Sequence, residues 1–144
     1  MYNKSKFQFK TPILEKFFFK INKNFSIDDF TEIDLLGVTS VSKSSKENLA
    51  SVSLELTIGD ESKKSPFYIE ISMKSIFKWD ENFENSTIDE LLRINAPSLL
   101  LSYMRPIVAN VTSVSEFPGF DIPFLDMRNN KADFYTDFDD NIDY

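Results

Sequence analysis

Residues 94–123 read INAPSLLLSYMRPIVANVTSVSEFPGFDIP, the densest apolar run in the chain. From Leu99 onward, Leu100, Tyr103, Met104, Ile107, Val108, Val111 and Val114 recur at intervals of three and four. That period predicts an amphipathic helix wide enough to lie on a sheet. Pro97 fits the first turn of such a helix, where its missing N–H is not needed. Pro106 removes the bond to the carbonyl of Ser102 and predicts a kink. The run ends in an aromatic turn, Phe117-Pro118-Gly119-Phe120.

Upstream, the period changes from about 3.6 to two. Between Phe7 and Ile21 the odd positions are mostly apolar (Phe7, Phe9, Ile13, Phe17, Phe19, Ile21) and the even ones mostly polar. This is the mark of a strand with one buried face. Pro12 cannot donate to a ladder and predicts an edge, bulge or break. Glu15 on the apolar side and Phe18 on the polar side predict a register shift mid-strand. Residues 26–31 (SIDDFT) read as a polar connection, and Ile33 to Val41 alternates weakly as a second strand. Val52, Leu54, Leu56 and Ile58 alternate cleanly, as do Phe67, Ile69, Ile71 and Met73. The short polar turns at 43–48 and 59–64 favour antiparallel pairing. After Trp79, Ser86 or Thr87 is placed to cap a short helix with Asp89 and Glu90 in its first turn. The order predicts an α+β domain over residues 1–126. Its four-stranded antiparallel sheet is covered on one face by a long C-terminal helical layer. Residues 127–144 form an acidic, aromatic tail.

Composition narrows the chemistry. The 144 residues include fifteen Phe, one Trp, no Cys and no His, with a formal charge of −7. Without Cys or His there is no disulfide, no thiolate or imidazole metal site, and no Ser–His or Cys–His nucleophile system. The negative charge argues against a phosphate-tracking nucleic-acid binder and against anionic membrane surfaces. The first ten residues lack an apolar signal region, and no apolar run approaches the ~20 residues of a membrane span. A cytoplasmic chain without membrane insertion is expected. Asp137, Asp139 and Asp140 suggest a hard-cation cluster but lack the glycine turn and terminal Glu of a calcium loop. They read as plain tail. No cofactor is expected.

Several short motifs, taken in order, resemble the SecB family of export chaperones. They are Asn95-Ala-Pro97, Leu99-Leu-Leu101 with Tyr103 and Arg105, then Phe117-Pro118 and Pro123-Phe124. Upstream, Phe67-Tyr-Ile-Glu70-Ile71 followed by Ile76-Phe77 is similar to the family's strand with a hydrophobic-x-Glu pattern. The match covers roughly residues 7–126. This chain has Pro106 where the family has Glu, and Lys16 and Lys20 where acids are usual. It also lacks one of the glycines before the aromatic turn and has a rewritten C-terminal helix.

The resemblance implies a non-enzymatic, ATP-independent holdase. It would bind unfolded preproteins in apolar grooves and assemble as a homotetramer, a dimer of dimers. Client contact would fall to Phe17, Phe19, Phe117, Phe120, Ile122 and Phe124. The plainer readings stay beside it. The Phe117–Phe120 turn is equally a core-closing loop, and Phe17 and Phe19 are equally core. Tyr103, Ile107 and Val111 read as core or subunit interface before client contact. Glu70, with Tyr68, is placed as a partner contact against the alternative of a solvated charge. The lost acids resemble those that meet the motor SecA, so Lys16 and Lys20 weaken the case for SecA as a partner. They lean instead toward a SecB-like chaperone dedicated to an antitoxin. The tail is either a solubilising end or a segment that folds back as a pseudo-client. A single-stranded nucleic-acid platform is opposed by the charge and by Arg93, Arg105 and Arg128 being the only arginines. A small-ligand β-cup is a further alternative.

Overall fold

A computed structural model describes residues 1–136. Strands β1 (Phe7–Phe9), β2 (Ile13–Ile21), β3 (Leu35–Lys43), β4 (Leu49–Gly59) and β5 (Phe67–Trp79) are followed by helices α1 (Asn85–Glu90) and α2 (Ala96–Ser113). A short strand, β6 (Ala132–Tyr135), closes the described chain. The expected four-stranded antiparallel sheet is thereby corrected to six strands of mixed sense. β5 pairs with β4, and β4 with β3, all antiparallel. β1 and β2 lie end to end along the other side of β5. β6 adds to the free side of β3 in parallel. A local pattern carries no information about a parallel partner nearly a hundred residues away, which is why the tail read as unstructured.

The N-terminal stretch follows its sequence except at Ile13, which was expected on the buried face but lies opposite Lys74 on the outer one and is 56% exposed. Pro12 separates β1 from β2, and the Ser75 hydroxyl bonds to the carbonyl of Lys10 at the break. The register slips between Leu14 and Lys16, leaving Glu15 as the extra residue of a bulge. This restores Phe17, Phe19 and Ile21 to the buried side, opposite Ile71, Ile69 and Phe67. Phe18 is left on the outer side.

One face of β3–β5 is the core floor. Val41, Val52, Leu54, Leu56, Ile58, Phe67, Ile69, Ile71 and Phe77 are almost wholly enclosed. α2 lies across them with Ala96, Leu100, Met104 and Val108, spaced four apart, turned inward. Pro97 sits in its first turn, and a five-residue π-turn, Leu91–Asn95, joins it to α1. The helix runs on through Pro106, whose side chain is exposed. Water on that side can serve the carbonyl of Ser102. The expected Ser86 or Thr87 cap is also corrected. α1 opens two or three residues earlier with Glu84 at the cap, and the first helical bond runs from Ile88 N–H to the Glu84 carbonyl at 3.0 Å.

Thr112 fastens the end of α2. Its buried hydroxyl donates to the Val108 carbonyl at 2.8 Å and accepts from the Phe120 N–H at 2.8 Å. Ser115 adds a bond to the Thr112 carbonyl at 2.7 Å. Thr112→Val keeps the shape but orphans the Phe120 amide. We expect it to cost about 1–2 kcal/mol in urea unfolding and to raise amide exchange at Phe120.

Candidate functional site

The Phe117–Phe120 turn does not simply close the core. Phe117 meets Phe25 edge-on, with centroids 5.5 Å apart at 88°. Phe25 meets Phe30 at 5.9 Å and 78°. Phe120 sits 6.0 Å from the buried Phe67, which Phe19 approaches from β2 at 6.0 Å. The edge-to-face pairs among these, Phe25–Phe117, Phe25–Phe30 and Phe67–Phe120, favour a fixed arrangement of rings. Between the turn and the β2–β3 connection lies an open apolar cleft of about 300 Å³. Phe25, Ile27, Phe30, Ile33, Phe117 and Phe120 line it, and Phe67 forms its floor. Ile27 is 73% exposed.

Half of this cleft was hidden from the sequence. Residues 26–31 read as a polar connection because Asp28 and Asp29 dominate it. The structure instead winds Ile27–Asp29 into a 3₁₀ turn, with Phe25 packed against the facing aromatic turn. The usable signal was the series Phe25, Ile27, Phe30, Ile33 inside a segment of otherwise polar composition.

The other expected contacts disperse. Phe17 and Phe19 are half-buried on the inner side of β2, packed against the core. Ile122 is only 4% exposed and belongs to the core, so its assignment to client contact is corrected. Phe124 projects fully, and the Arg105 guanidinium lies 5.5 Å over its ring while donating to the carbonyls of Ile122 and Pro123 at 3.1 and 2.9 Å. Phe124 is not among the cleft's lining residues. Tyr103 leans edge-on against Phe9 at 6.2 Å. Ile107 and Val111 continue that flank of α2 half-buried, and Val114 extends it fully outward.

The outer face of the sheet has a different chemistry. Glu70 forms an ion pair with Lys16 and accepts a hydrogen bond from the Tyr68 hydroxyl at 2.5 Å. Lys74 pairs with the bulged Glu15 at 3.1 Å. Phe18 packs edge-on to Tyr68 at 6.0 Å, and Leu36 and Val38 stand exposed on β3. Lys20 lies opposite Tyr68 in the ladder and is exposed. The hydrogen bonds from Lys16 and Tyr68 hold the Glu70 carboxyl below its usual range. The Glu70 hydrogen bond and charge raise Lys16 and push Tyr68 up to about 12. A lowered carboxyl favours the folded state above the ordinary carboxylate range and loses that effect as pH falls through its own value. The raised lysine and phenol contribute below their ordinary values and lose it as pH rises. The triad is therefore complete across the neutral window. Glu70→Gln should return the Tyr68 phenol toward its ordinary value of 10.0, followed by NMR titration of that ring. A ring that still titrates near 12 would mean burial, not Glu70, sets it.

Among the described residues, no group of three or more carboxylates is placed to hold a metal ion, and no helix is long and apolar enough to cross a membrane. Asp137, Asp139 and Asp140 lie outside the described residues.

The family model for the preprotein translocase subunit SecB matches residues 23–130, three quarters of the chain. The chain belongs to the SecB family. A SecB export protein of Anaplasma phagocytophilum is 35% identical over 81 residues, 54% of this chain and 51% of that one. Another, from Ehrlichia ruminantium, is 31% identical over 97 residues, 60% and 56% of the two. The chain thus spans about half the length of the curated SecB relatives it matches. Among solved structures, the SecB-like chaperone of Mycobacterium tuberculosis, in complex with a peptide from an antitoxin, superposes with a TM-score of 0.67 at 11% identity. The match covers 83% of this chain and 91% of that one. This is a likeness of fold.

Proposed function

We propose that the chain is an ATP-independent holdase that binds unfolded or newly made polypeptides and keeps them competent for export. The observation that carries this reading is the open aromatic cleft between Phe25–Ile33 and Phe117–Phe120. A folded domain rarely leaves such a cluster uncovered without a partner for it. Aromatic side chains supply contact area at low entropic cost, and a long client touching several such clefts gains avidity. Four copies in a homotetramer would provide those repeats, with Tyr103, Ile107 and Val111 as the flank available for assembly. No reaction centre is needed. We place the activity in the cytoplasm; the boundary expected after residue 126 gives way to a domain that takes in the buried Met127 and β6.

The outer face bears on a second partner. Glu70 and Tyr68 are the residues proposed for partner contact, but Lys16 already neutralises the carboxylate. A basic partner surface such as one on SecA would have to displace that lysine. The same pair favours, as a second reading, a chaperone dedicated to an antitoxin, the client class seen with the Mycobacterium tuberculosis neighbour. Glu70→Lys should weaken partner binding while leaving client holding intact.

Mixed with a chemically unfolded client and no ATP, the protein should delay light scattering from aggregation and run at the mass of a tetramer. A monomer without effect on aggregation would overturn the reading.

A further inference from the structure

We propose that Asn22 is the positioning residue of the aromatic cleft, a latch that hangs the Phe25–Ile27 part of its wall on the β4–β5 turn at the width a client side chain needs. This rests on the holdase reading and names a residue that sets the geometry of the site without lining it.

Asn22 stands where β2 has ended and the cleft wall begins. All four kinds of hydrogen-bonding group it carries are used. Its backbone N–H donates to the Pro66 carbonyl at 3.0 Å, and its own carbonyl accepts from the Phe25 N–H at 3.2 Å. The side-chain Oδ1 accepts from the Asn24 N–H at 3.1 Å, which turns the chain toward Phe25. The Nδ2 group crosses to the β4–β5 turn and donates to the carbonyls of Ser62 and Ser65, the latter at 3.1 Å. An amide suits both ends, because it offers an acceptor to one N–H and two hydrogens to two carbonyls.

The turn is a firm anchor. Asp60 Oδ1 accepts from the Ser62 N–H at 2.8 Å and from the Ser62 hydroxyl at 2.5 Å. Ser65 is buried, and its hydroxyl donates to the Phe67 carbonyl at 3.1 Å. The wall has no such footing of its own. None of Ile27–Asp29 is buried, and Phe25 is half-buried. Its far end is carried into β3 by the bond from Gly59 N–H to the Asp34 carbonyl at 2.8 Å. Its near end depends on Asn22, supplemented by the bond from Ser26 N–H to the Lys63 carbonyl at 2.9 Å. Across the cleft it touches the opposite wall through the Phe25–Phe117 rings. The width at this end is thus set at two points, the latch and that ring pair.

Asn22→Asp keeps the shape of the side chain but sets a carboxylate against two carbonyl oxygens. Phe25 and Ile27 then leave their seat for much of the time, and a client binds only the fraction of molecules in which they are seated. The net worth of one hydrogen bond converts to roughly tenfold in that fraction.

The probe is β-casein, a natively unfolded protein, added to the full chain. Asn22→Asp should bind it roughly tenfold more weakly per folded molecule. In NMR spectra the Phe25–Phe117 ring contacts should fade while those of Phe19 with the buried Phe67 persist. A residue that only stabilised the fold would move both together. On a background of Phe25→Ala and Phe117→Ala the wall has already lost its seat, so adding Asn22→Asp should cost less than about twofold. An undiminished loss on that background, or a loss of affinity with the ring pair intact, would overturn the proposal. Unchanged affinity in folded Asn22→Asp would overturn the latch and leave the holdase reading standing. Should Asn22→Asp not fold, Asn22→Ala, which frees both carbonyls to water, carries the same expectations. Failure of both to fold would make Asn22 a structural residue and overturn the proposal. If the unmodified protein neither binds β-casein nor delays aggregation, the holdase reading itself has failed, and this proposal with it.

Discussion

Gly59→Ala is expected to cost about 3 kcal/mol or more, lowering the thermal midpoint by roughly 10 °C for a domain of this size. Two effects act at the same place. Gly59 has φ of 74°, the left-handed region where a Cβ meets the following carbonyl. A Cβ there would also overlap the Phe67 carbonyl oxygen and lie 2.5 Å from Ser65 Oγ. The first of these is backbone of β5 and cannot swing aside. Gly59 also donates its N–H to the Asp34 carbonyl, so any shift disturbs the entry to β3 as well as the β4–β5 turn. Urea unfolding of Gly59→Ala and Gly59→Asn separates the causes. Asn tolerates positive φ better but carries the same Cβ. Equal losses assign the cost to the close approach, and a clear recovery in Asn assigns it to the backbone angle. A loss under about 1 kcal/mol in both, no more than an ordinary surface change, would show that β5 yields at this point.

The second large effect is on client holding. Phe25→Ala combined with Phe117→Ala removes both rings of the edge-to-face pair that joins the two walls of the cleft. Aromatic anchors of an interface are worth about 1–2 kcal/mol each or more when truncated. Their joint loss should therefore weaken binding of an unfolded client roughly thirtyfold to several-hundredfold. Both rings are only partly buried, so stability should fall far less than for a core residue. As a control, Phe124→Ala removes an aromatic outside the cleft and should change client affinity by less than twofold if the cleft is the site. An equal loss in the control would place client contact on diffuse exposed aromatics. Unchanged affinity in the double variant would remove the cleft from the mechanism.

How much of this was legible in the sequence depended on whether burial was one-sided. β4 and β5 each have one buried and one open face, and their alternation revealed both strands and their antiparallel pairing. The conflict between Glu15 and Phe18 revealed the bulge, because one inserted residue is enough to reverse the parity of an otherwise clean strand. α2 was legible because its inward residues fall four apart. What stayed hidden was non-local or masked by charge. β6 is four residues of an Asp-rich segment whose partner is set by tertiary contact, and its parallel register leaves no local signature. The Phe25–Ile33 wall was hidden because acidic neighbours make a loop look uniformly polar. Ile122 shows the opposite error: an apolar residue beside exposed Phe124 looked like surface and is core.

The end-to-end placement of β1 and β2 along β5 also constrains how the chain is made. The stretch Phe7–Ile21 emerges early in synthesis, yet its ladder partners Phe67–Trp79 arrive between 46 residues later, for Ile21, and 72 residues later, for Phe7. Until then a β-prone segment containing Phe17-Phe18-Phe19 waits without its strand, a hazard for self-association. Lys16 and Lys20 bracket those three phenylalanines, as gatekeeper charges do beside unavoidable apolar strands. Lysines that look like lost partner contacts in the finished fold can thus be read as protection for the nascent chain.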